Sequence, residues 1–417
     1  MLLTENQITP ERALLVSLDT GDFDVEASLL ELKELVKSAG ADPVLTVVQK
    51  RPVPEKATCI GSGMVEQVAE TCRQEEIDVI VFDRELTPSQ IRNLENICDV
   101  RVIDRTILIL DIFALRAQSS EGKLQVELAQ IKYMLPRLTG KGVALSRLGG
   151  GIGTRGPGET KLETDRRHIR RKMESLKEQL RKVEANRQEM SKRRRKENVV
   201  TVALVGYTNA GKSTLMNRLT QAGVLAEDKL FATLDPTARA LKLPSGKSVV
   251  LIDTVGLIRR LPHHLVEAFK STLEQAATAD IVLNICDASN EEVGVHIDVT
   301  NEILQSLGTG DRPVLTVLNK WDLAKEKEMP INVPNAVKIS ASTGEGIDEL
   351  LRQIEENLPE KTIKMKILLP FSKSGLAAVL REEGAVLHEE YVETGLLIDG
   401  NIPQRLLSSV EMFAVQE

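Results

Sequence analysis

Along the first 120 residues, short apolar runs alternate with amphipathic stretches. Leu14–Leu18, Val44–Val48, Val79–Phe82 and Val100–Ile103 read as buried strands, and segments near 24–39, 63–75 and 88–97 as helices between them. Strand and helix in alternation imply a parallel sheet with helices on its faces. The turn Gly61-Ser62-Gly63 starts like a dinucleotide-binding fingerprint, but Glu66 stands where the third glycine belongs. A tight strand-to-helix turn is therefore the reading.

The period changes near Gly122. Leu124, Leu128, Ile131, Leu135 and Leu138 recur at spacings of four and three. The same rhythm returns in Leu162, Ile169, Met173, Leu176, Leu180, Val183 and Met190, with Arg166 and Arg187 at two seam positions. Such narrow stripes predict two long helices packed as an antiparallel hairpin; packing of both stripes on neighbouring domains is the plainer alternative. Between them, residues 140–158 hold 8 of the chain's 27 glycines together with Lys141, Arg147 and Arg155. So much glycine cannot nucleate a core. Spaced arginines distinguish the loop from ordinary linker filler and point to a backbone-close RNA contact.

From Val199 a second alternation begins, with strands at Val199–Val205, Val249–Ile252, Ile281–Ile285, Val314–Leu318 and Val337–Ile339. After about Pro359 a β-α-β-β pattern follows, Ile363–Leu369, Phe371–Glu382 and Ala385–Ile398. The fold class expected is multidomain α/β. Residues 1–120 form an N-terminal parallel α/β domain, 121–197 a helical hairpin, 198–360 a doubly wound P-loop domain and 361–417 a small α+β domain.

Composition narrows the class. The chain has 417 residues, 42% hydrophobic and 28% charged, as an ordinary globular protein has. The longest apolar stretch, Thr106 to Ala117, is broken by Asp111 and too short for a membrane span. The start MLLTENQITPE lacks a basic region followed by an apolar run, so no secretory signal is expected. Cys59, Cys72, Cys98 and Cys286 lie far apart with no CxxC pair, which suits a reducing, cytoplasmic setting. The net charge of −7 conceals a segregation: Lys161 to Glu197 holds 15 Lys and Arg against 7 Asp and Glu, a local +8, so the remainder sums to −15. A basic block of this kind can meet phosphate backbones. Its end, Lys192-Arg193-Arg194-Arg195-Lys196, joins Lys141, Arg147 and Arg155 as the candidate RNA contacts, although cations at a helix C-terminus also suit the dipole.

The strongest chemical signal is Gly206-Tyr207-Thr208-Asn209-Ala210-Gly211-Lys212-Ser213, followed by Thr214, directly after an apolar strand. Glycines let successive amides cradle phosphates at a helix N-terminus. Lys212 then reaches the β- and γ-phosphates while Ser213 binds Mg²⁺. Asn319-Lys320-Trp321-Asp322 chooses the base. A carboxylate at Asp322 accepts from the N1–H and exocyclic amine of guanine, and adenine leaves it unpaired. The Lys320 stem covers the base, and Ser340-Ala341-Ser342 adds a backbone contact. Asp253-Thr254-Val255-Gly256 follows the strand Val249–Ile252, with Asp253 holding Mg²⁺ through water and the Gly256 amide sensing the γ-phosphate. The switch threonine belongs in Phe231-Ala232-Thr233-Leu234-Asp235; Thr233 is the choice for the second Mg²⁺ contact and Thr237 the fallback. Lys212, Thr233 and Gly256 are the candidate catalytic residues. Leu257, directly after this motif, cannot orient a water, so slow unassisted hydrolysis is expected.

These four elements resemble the translation-factor class of P-loop GTPases over about 160 residues. With GGGIGTRGPGETKLETDRR and the domain layout, nearly the whole chain resembles the HflX family of ribosome-associated GTPases, related to Obg-type GTPases. The resemblance implies GTP hydrolysis with Mg²⁺, binding to the large ribosomal subunit and its rRNA, and a glycine loop near the peptidyl-transferase region. It also implies GTP-dependent splitting of stalled or idle ribosomes under stress, with stimulation of turnover by the large subunit. Two alternatives stay open: a large-subunit maturation factor that never splits ribosomes, and a protein-interaction switch in which RNA is irrelevant. Separate nucleotide use by the N-terminal domain lacks a phosphate-loop signature. A monomer is favoured because the two stripes can cover each other.

Overall fold

Strand β1 (Arg12–Asp19) is buried at its six inner positions, as a central strand of a parallel sheet covered on both faces must be. The computed structural model that shows this describes residues 10–135, 157–196, 199–220, 230–231, 237–260, 278–310, 312–324, 333–359, 362–383 and 385–415. Helix α1 (Val25–Ser38), β2 (Asp42–Lys50), α2 (Ser62–Gln74), β3 (Val79–Phe82), α3 (Pro88–Cys98) and β4 (Arg101–Asp104) complete an all-parallel sheet ordered β2-β1-β3-β4. These elements match the alternation read from the sequence to within a few residues. Gly61 caps α2 and donates its amide to the Gln49 side chain at 2.9 Å. Residues 51–61 separate β2 from the helix, and Ser62 and Gly63 already belong to it, so the tight strand-to-helix turn expected of Gly61-Ser62-Gly63 is instead a helix cap at the end of a longer loop.

One element was not legible. The apolar stretch after β4 is helix α4 (Arg105–Arg116), capped by Asp104, whose Oδ1 accepts the Ile107 amide at 2.9 Å. It leads into α5 (Ser120–Met134) and, beyond the undescribed loop, the long α6 (Pro157–Lys196). On α6 the described stripe is as read: Leu176 and Leu180 are buried, Ile169, Met173 and Val183 half-buried, and most positions between them exposed. Helices α5 and α6 pack on each other, and Lys172 pairs with Glu127 across the seam at 2.5 Å. Yet α5 has a second buried face that the four-and-three rhythm did not reveal. Val126, Ala129 and Tyr133 join the core over α4, and the Tyr133 hydroxyl donates to Asp104.

The second sheet is ordered β10-β9-β8-β5-β7-β6 and is built from β5 (Thr201–Gly206), β6 (Thr237–Lys242), β7 (Ser248–Asp253), β8 (Ile281–Asp287), β9 (Val314–Asn319) and β10 (Val337–Lys338). All pairs are parallel except β6 with β7. Helices α7 (Lys212–Thr220), α8 (Val293–Ser306), α9 (Trp321–Ala324) and α10 (Ile347–Glu356) interleave with it. A smaller antiparallel sheet, β11-β13-β12, follows, with β11 (Thr362–Leu369), α11 (Ser374–Glu382), β12 (Val386–Val392), β13 (Gly395–Pro403) and α12 (Gln404–Val410). Among the described residues no helix is long and apolar enough to cross a membrane.

The first two sheets share one core. Leu15, Leu32, Ile109 and Phe113 from the N-terminal half pack with Val205, Tyr207, Phe231 and Leu257 from the second. At its polar rim Arg105 is buried, with Nη1 donating to Asp83 Oδ1 at 2.8 Å and Nη2 to Glu31 and, at 3.2 Å, to the Arg259 carbonyl. Burial opposes the Arg105 charge, but Glu31 and Asp83 outweigh it and hold the group protonated. Replacing Arg105 by Met strands two carboxylates in this interior, which costs about 3–5 kcal/mol. The urea midpoint should fall well below that of the wild type, whereas Arg73→Met, which breaks an exposed pair with Glu70, should leave it in place; equal midpoints for the two variants would contradict the arrangement.

Candidate functional site

The described candidates of the nucleotide site at 206–214, 253–256 and 319–322 lie at the carboxyl ends of β5, β7 and β9, where open α/β sheets bind ligands. The loop after β5 runs into α7, and Gly211 adopts φ +90°. A Cβ there would stand 2.2 Å from the Asn319 Nδ2, so only glycine lets the loop close on this asparagine. Asn319 is the tie between the two halves of the site. Its Nδ2 donates to the Ala210 carbonyl at 2.8 Å, and its Oδ1 accepts the Ala341 amide at 2.9 Å.

Lys212 is buried, with Nζ donating to the carbonyls of Gly206 and Tyr207 at 3.0 and 2.8 Å. Burial lowers its pKa to about 8, and the nearby Asp253 carboxylate opposes the shift. Ser213 Oγ donates to Asp253 Oδ2 at 2.9 Å, so the hydroxyl and the carboxylate expected around Mg²⁺ do meet. One hydroxyl and one carboxylate leave the remaining positions to water and phosphate, the habit of Mg²⁺ sites, and the pair fits that ion. Thr254 turns inward and donates to the Leu204 carbonyl at 2.7 Å, anchoring the strand end. Thr233, with Ala232, Leu234 and Asp235, lies outside the described residues.

On the base side, Trp321 carries the Lys338 ammonium 4.4 Å above its ring, and Lys320 pairs with Asp287 at 2.7 Å. Asp322 Oδ1 is buried and accepts no hydrogen bond among the described residues, an orphan that a guanine N–H would satisfy. Ser340 is fully buried, and its hydroxyl lies 3.0 Å from that of Ser342. Sequence reasoning missed Arg218, which donates from Nε to the Ala341 carbonyl at 3.0 Å and from Nη2 to that of Ser342, bracing the loop from α7. A lone arginine on a helix carries no spacing signal that would have disclosed it.

Two loop side chains point elsewhere than the cradle. The Tyr207 ring stacks on His296 at 3.7 Å and 11°, and its hydroxyl donates to Glu31 of α1 while accepting the Arg259 amide at 2.6 Å. The Phe231 ring packs edge-on against Phe113 of α4 at 4.7 Å, and the Leu230 amide donates to Ser38 at 3.1 Å. Arg260 reaches Ser28 and the Asp83 carbonyl at 3.2 and 2.7 Å. The N-terminal half therefore grips the segments on three sides of the candidate phosphate site. A cavity of about 530 Å³ lies between α1 and the loop, lined by Glu31, Tyr207, Asn209 and His296 among others. Leu257 is completely buried in the shared core, so a Gln placed there would bury an amide instead of presenting it. Of the RNA candidates, Lys141, Arg147 and Arg155 lie outside the described residues; positions 192–196 lie on the last turns of α6, and their side chains fall outside the description.

Comparison with known proteins places four family models along the chain. GTP-binding GTPase N-terminal matches residues 26–114, GTP-binding GTPase Middle Region 116–194, 50S ribosome-binding GTPase 201–320 and HflX C-terminal domain 326–403. The chain is 48% identical to the GTPase HflX of Lacrimispora saccharolytica over 98% of this chain and 97% of that protein. It is 47% identical to that of Caldanaerobacter subterraneus, over 97% and 94%, and 43% identical to that of Escherichia coli K12, over 92% of each.

Asp322→Asn exchanges the buried acceptor for an amide, and GDP affinity measured by calorimetry should fall at least about 30-fold, from 2 kcal/mol or more; an unchanged affinity would contradict the assignment. His296 titrates at about 4, lowered by burial and by the Arg259 charge. Its folded pKa lies below the ordinary 6.5, so the unfolded chain binds the extra proton. Stability from this group is complete above pH 6.5 and is lost as pH falls towards 4, by roughly 3 kcal/mol. His296→Phe keeps the stack and should flatten the acid limb of a stability–pH curve in that window; an unaltered limb would show that another group titrates there.

Proposed function

The chain belongs to the HflX family of GTPases, and from that premise we propose that it is a GTP-switched factor of the large ribosomal subunit which separates stalled or idle ribosomes under stress. The hydrolysis of GTP is the family's activity. Its sites on this chain are assigned as follows. Residues 206–214 wrap the phosphates, with Lys212 on the β- and γ-oxygens and Gly256 presenting its amide to the γ-phosphate. Asp322 reads guanine, Lys320 covers it, and Ala341 and its neighbours close the base pocket. Ser213 and, through water, Asp253 would hold Mg²⁺, with Thr233 as the further ligand, and the bound ion would supply neutralisation of the charge developing between the phosphates.

A line of buried groups from the phosphate loop to the root of the hairpin carries the proposal. Tyr207 bonds Glu31, Glu31 pairs with Arg105, and beside Arg105 its neighbour Asp104 caps α4 and accepts from Tyr133 of α5. This line supports a route by which a change at the γ-phosphate would reach the start of the basic hairpin, as a nucleotide-gated RNA contact by Lys141, Arg147, Arg155 and the 192–196 run requires. The domain name of one matching model, a 50S ribosome-binding GTPase, agrees with the partner. With Leu257 unable to orient water, the partner supplies the missing assistance.

GTP turnover should be slow for the protein alone and rise about 10²–10³-fold with isolated large subunits, short of full arginine-finger assistance, while small subunits leave it unchanged. No stimulation by either subunit would contradict the ribosomal partner. Sedimentation of intact ribosomes with a non-hydrolysable GTP analogue then separates splitting from a maturation role, because a maturation factor leaves the whole-ribosome peak in place.

A further inference from the structure

Thr208, the third residue of the phosphate loop, buries a hydroxyl that has no hydrogen-bond partner among the described residues. An unmade hydrogen bond in the interior is costly, and a native structure keeps one where a partner arrives from outside. The backbone around it is already committed. The Thr208 amide donates to the Leu257 carbonyl at 2.8 Å, and the Leu257 amide donates to the Gly206 carbonyl at 3.1 Å, so the loop and the segment after Gly256 are stitched into one wall.

The neighbours of the Thr208 side chain indicate what arrives. A Cβ built on Gly256 would stand 2.6 Å from Thr208 Cγ2, 2.9 Å from Thr208 Cα and 3.3 Å from Lys212 Nζ. The Thr208 side chain, the bare peptide of Gly256 and the Lys212 ammonium therefore converge on one place. An ammonium, an unencumbered amide and a hydroxyl together suit an anionic oxygen. Lys212 and Gly256 are the groups assigned above to the end of the triphosphate, whereas the diphosphate is held by the loop amides at the start of α7. The side chain of Leu257, the next residue along the wall, is apolar and is turned into the core.

We propose that the Thr208 hydroxyl donates a hydrogen bond to a γ-phosphate oxygen of bound GTP, so that Thr208 sets the preference for triphosphate over diphosphate. The inference deepens the nucleotide site proposed above and rests on it. Leu257 brings this wall no polar side chain directly after Gly256, and Thr208 gives it one.

Calorimetric titration of the full chain with GDP and with a non-hydrolysable GTP analogue, in Mg²⁺ buffer, tests it on the wild type, Thr208→Val, Thr208→Ser and Lys212→Ala. Valine keeps the shape and removes the hydroxyl. Affinity for the analogue should fall about tenfold in Thr208→Val while GDP affinity stays within about twofold, and Thr208→Ser should restore the analogue. The nucleotide-free melting temperature of Thr208→Val should not drop, because the hydroxyl has no bond there to lose. Equal losses for both nucleotides, a lowered melting temperature, or no loss for the analogue would each overturn the role of Thr208. Failure of the wild type to bind GDP, or of Lys212→Ala to weaken it, is a different result and would overturn the site itself.

Discussion

The Arg105 guanidinium, buried between Asp83, Glu31 and the carbonyl of Arg259, is the contact on which the remaining arrangement depends. Two carboxylates in an interior can be tolerated only with a cation between them, and that cation also reaches the backbone just beyond the DxxG motif. Glu31 in turn accepts from Tyr207, so one charge cluster joins the N-terminal sheet to the phosphate loop and to the segment that follows β7. The apolar core beneath, continuous from Leu15 to Leu257, makes the same junction with packing. Together they join the two sheets through one apolar core and one charge cluster beside the loop after β5 and the segment after β7.

That arrangement bears on how an enzyme with Leu257 after DxxG works. In many GTPases the side chain at this position faces the substrate and orients water. Here it fills the shared core, while its amide and carbonyl are bonded to the phosphate loop. The segment thus serves the interface between halves as much as the chemistry. The position that would carry a catalytic amide is used to hold the N-terminal half in place.

Motifs whose chemistry is local were legible in the sequence. Residues 206–213, 319–322 and 340–342 are short strings singled out for phosphate and guanine chemistry, and the structure brings them together beyond the carboxyl ends of β5, β9 and β10. The stripe on α6 was legible because a period of four and three leaves a mark. What escaped depended on partners far along the chain. Helix α4 looked only like an apolar run, since it is buried on nearly every side. The second face of α5, built of Val126, Ala129 and Tyr133, answers to α4 and not to α6. Arg218, Glu31 and the Tyr207–His296 stack are joined across tens to nearly two hundred residues, and no spacing records them. Phe231 was read as part of a switch segment, yet its ring is a core aromatic against Phe113, so tertiary packing determines its place.

Hydrogen exchange of the full chain, compared between its GDP form and a non-hydrolysable GTP-analogue form without ribosomes, tests the coupling most directly. If the phosphate site and the N-terminal half form one body, exchanging the nucleotide changes protection in α1 and α5 as well as in residues 206–213 and 253–260. Changes confined to the second sheet and its loops, with α1 and α5 unaltered, would show that the junction through Arg105 and Glu31 transmits nothing.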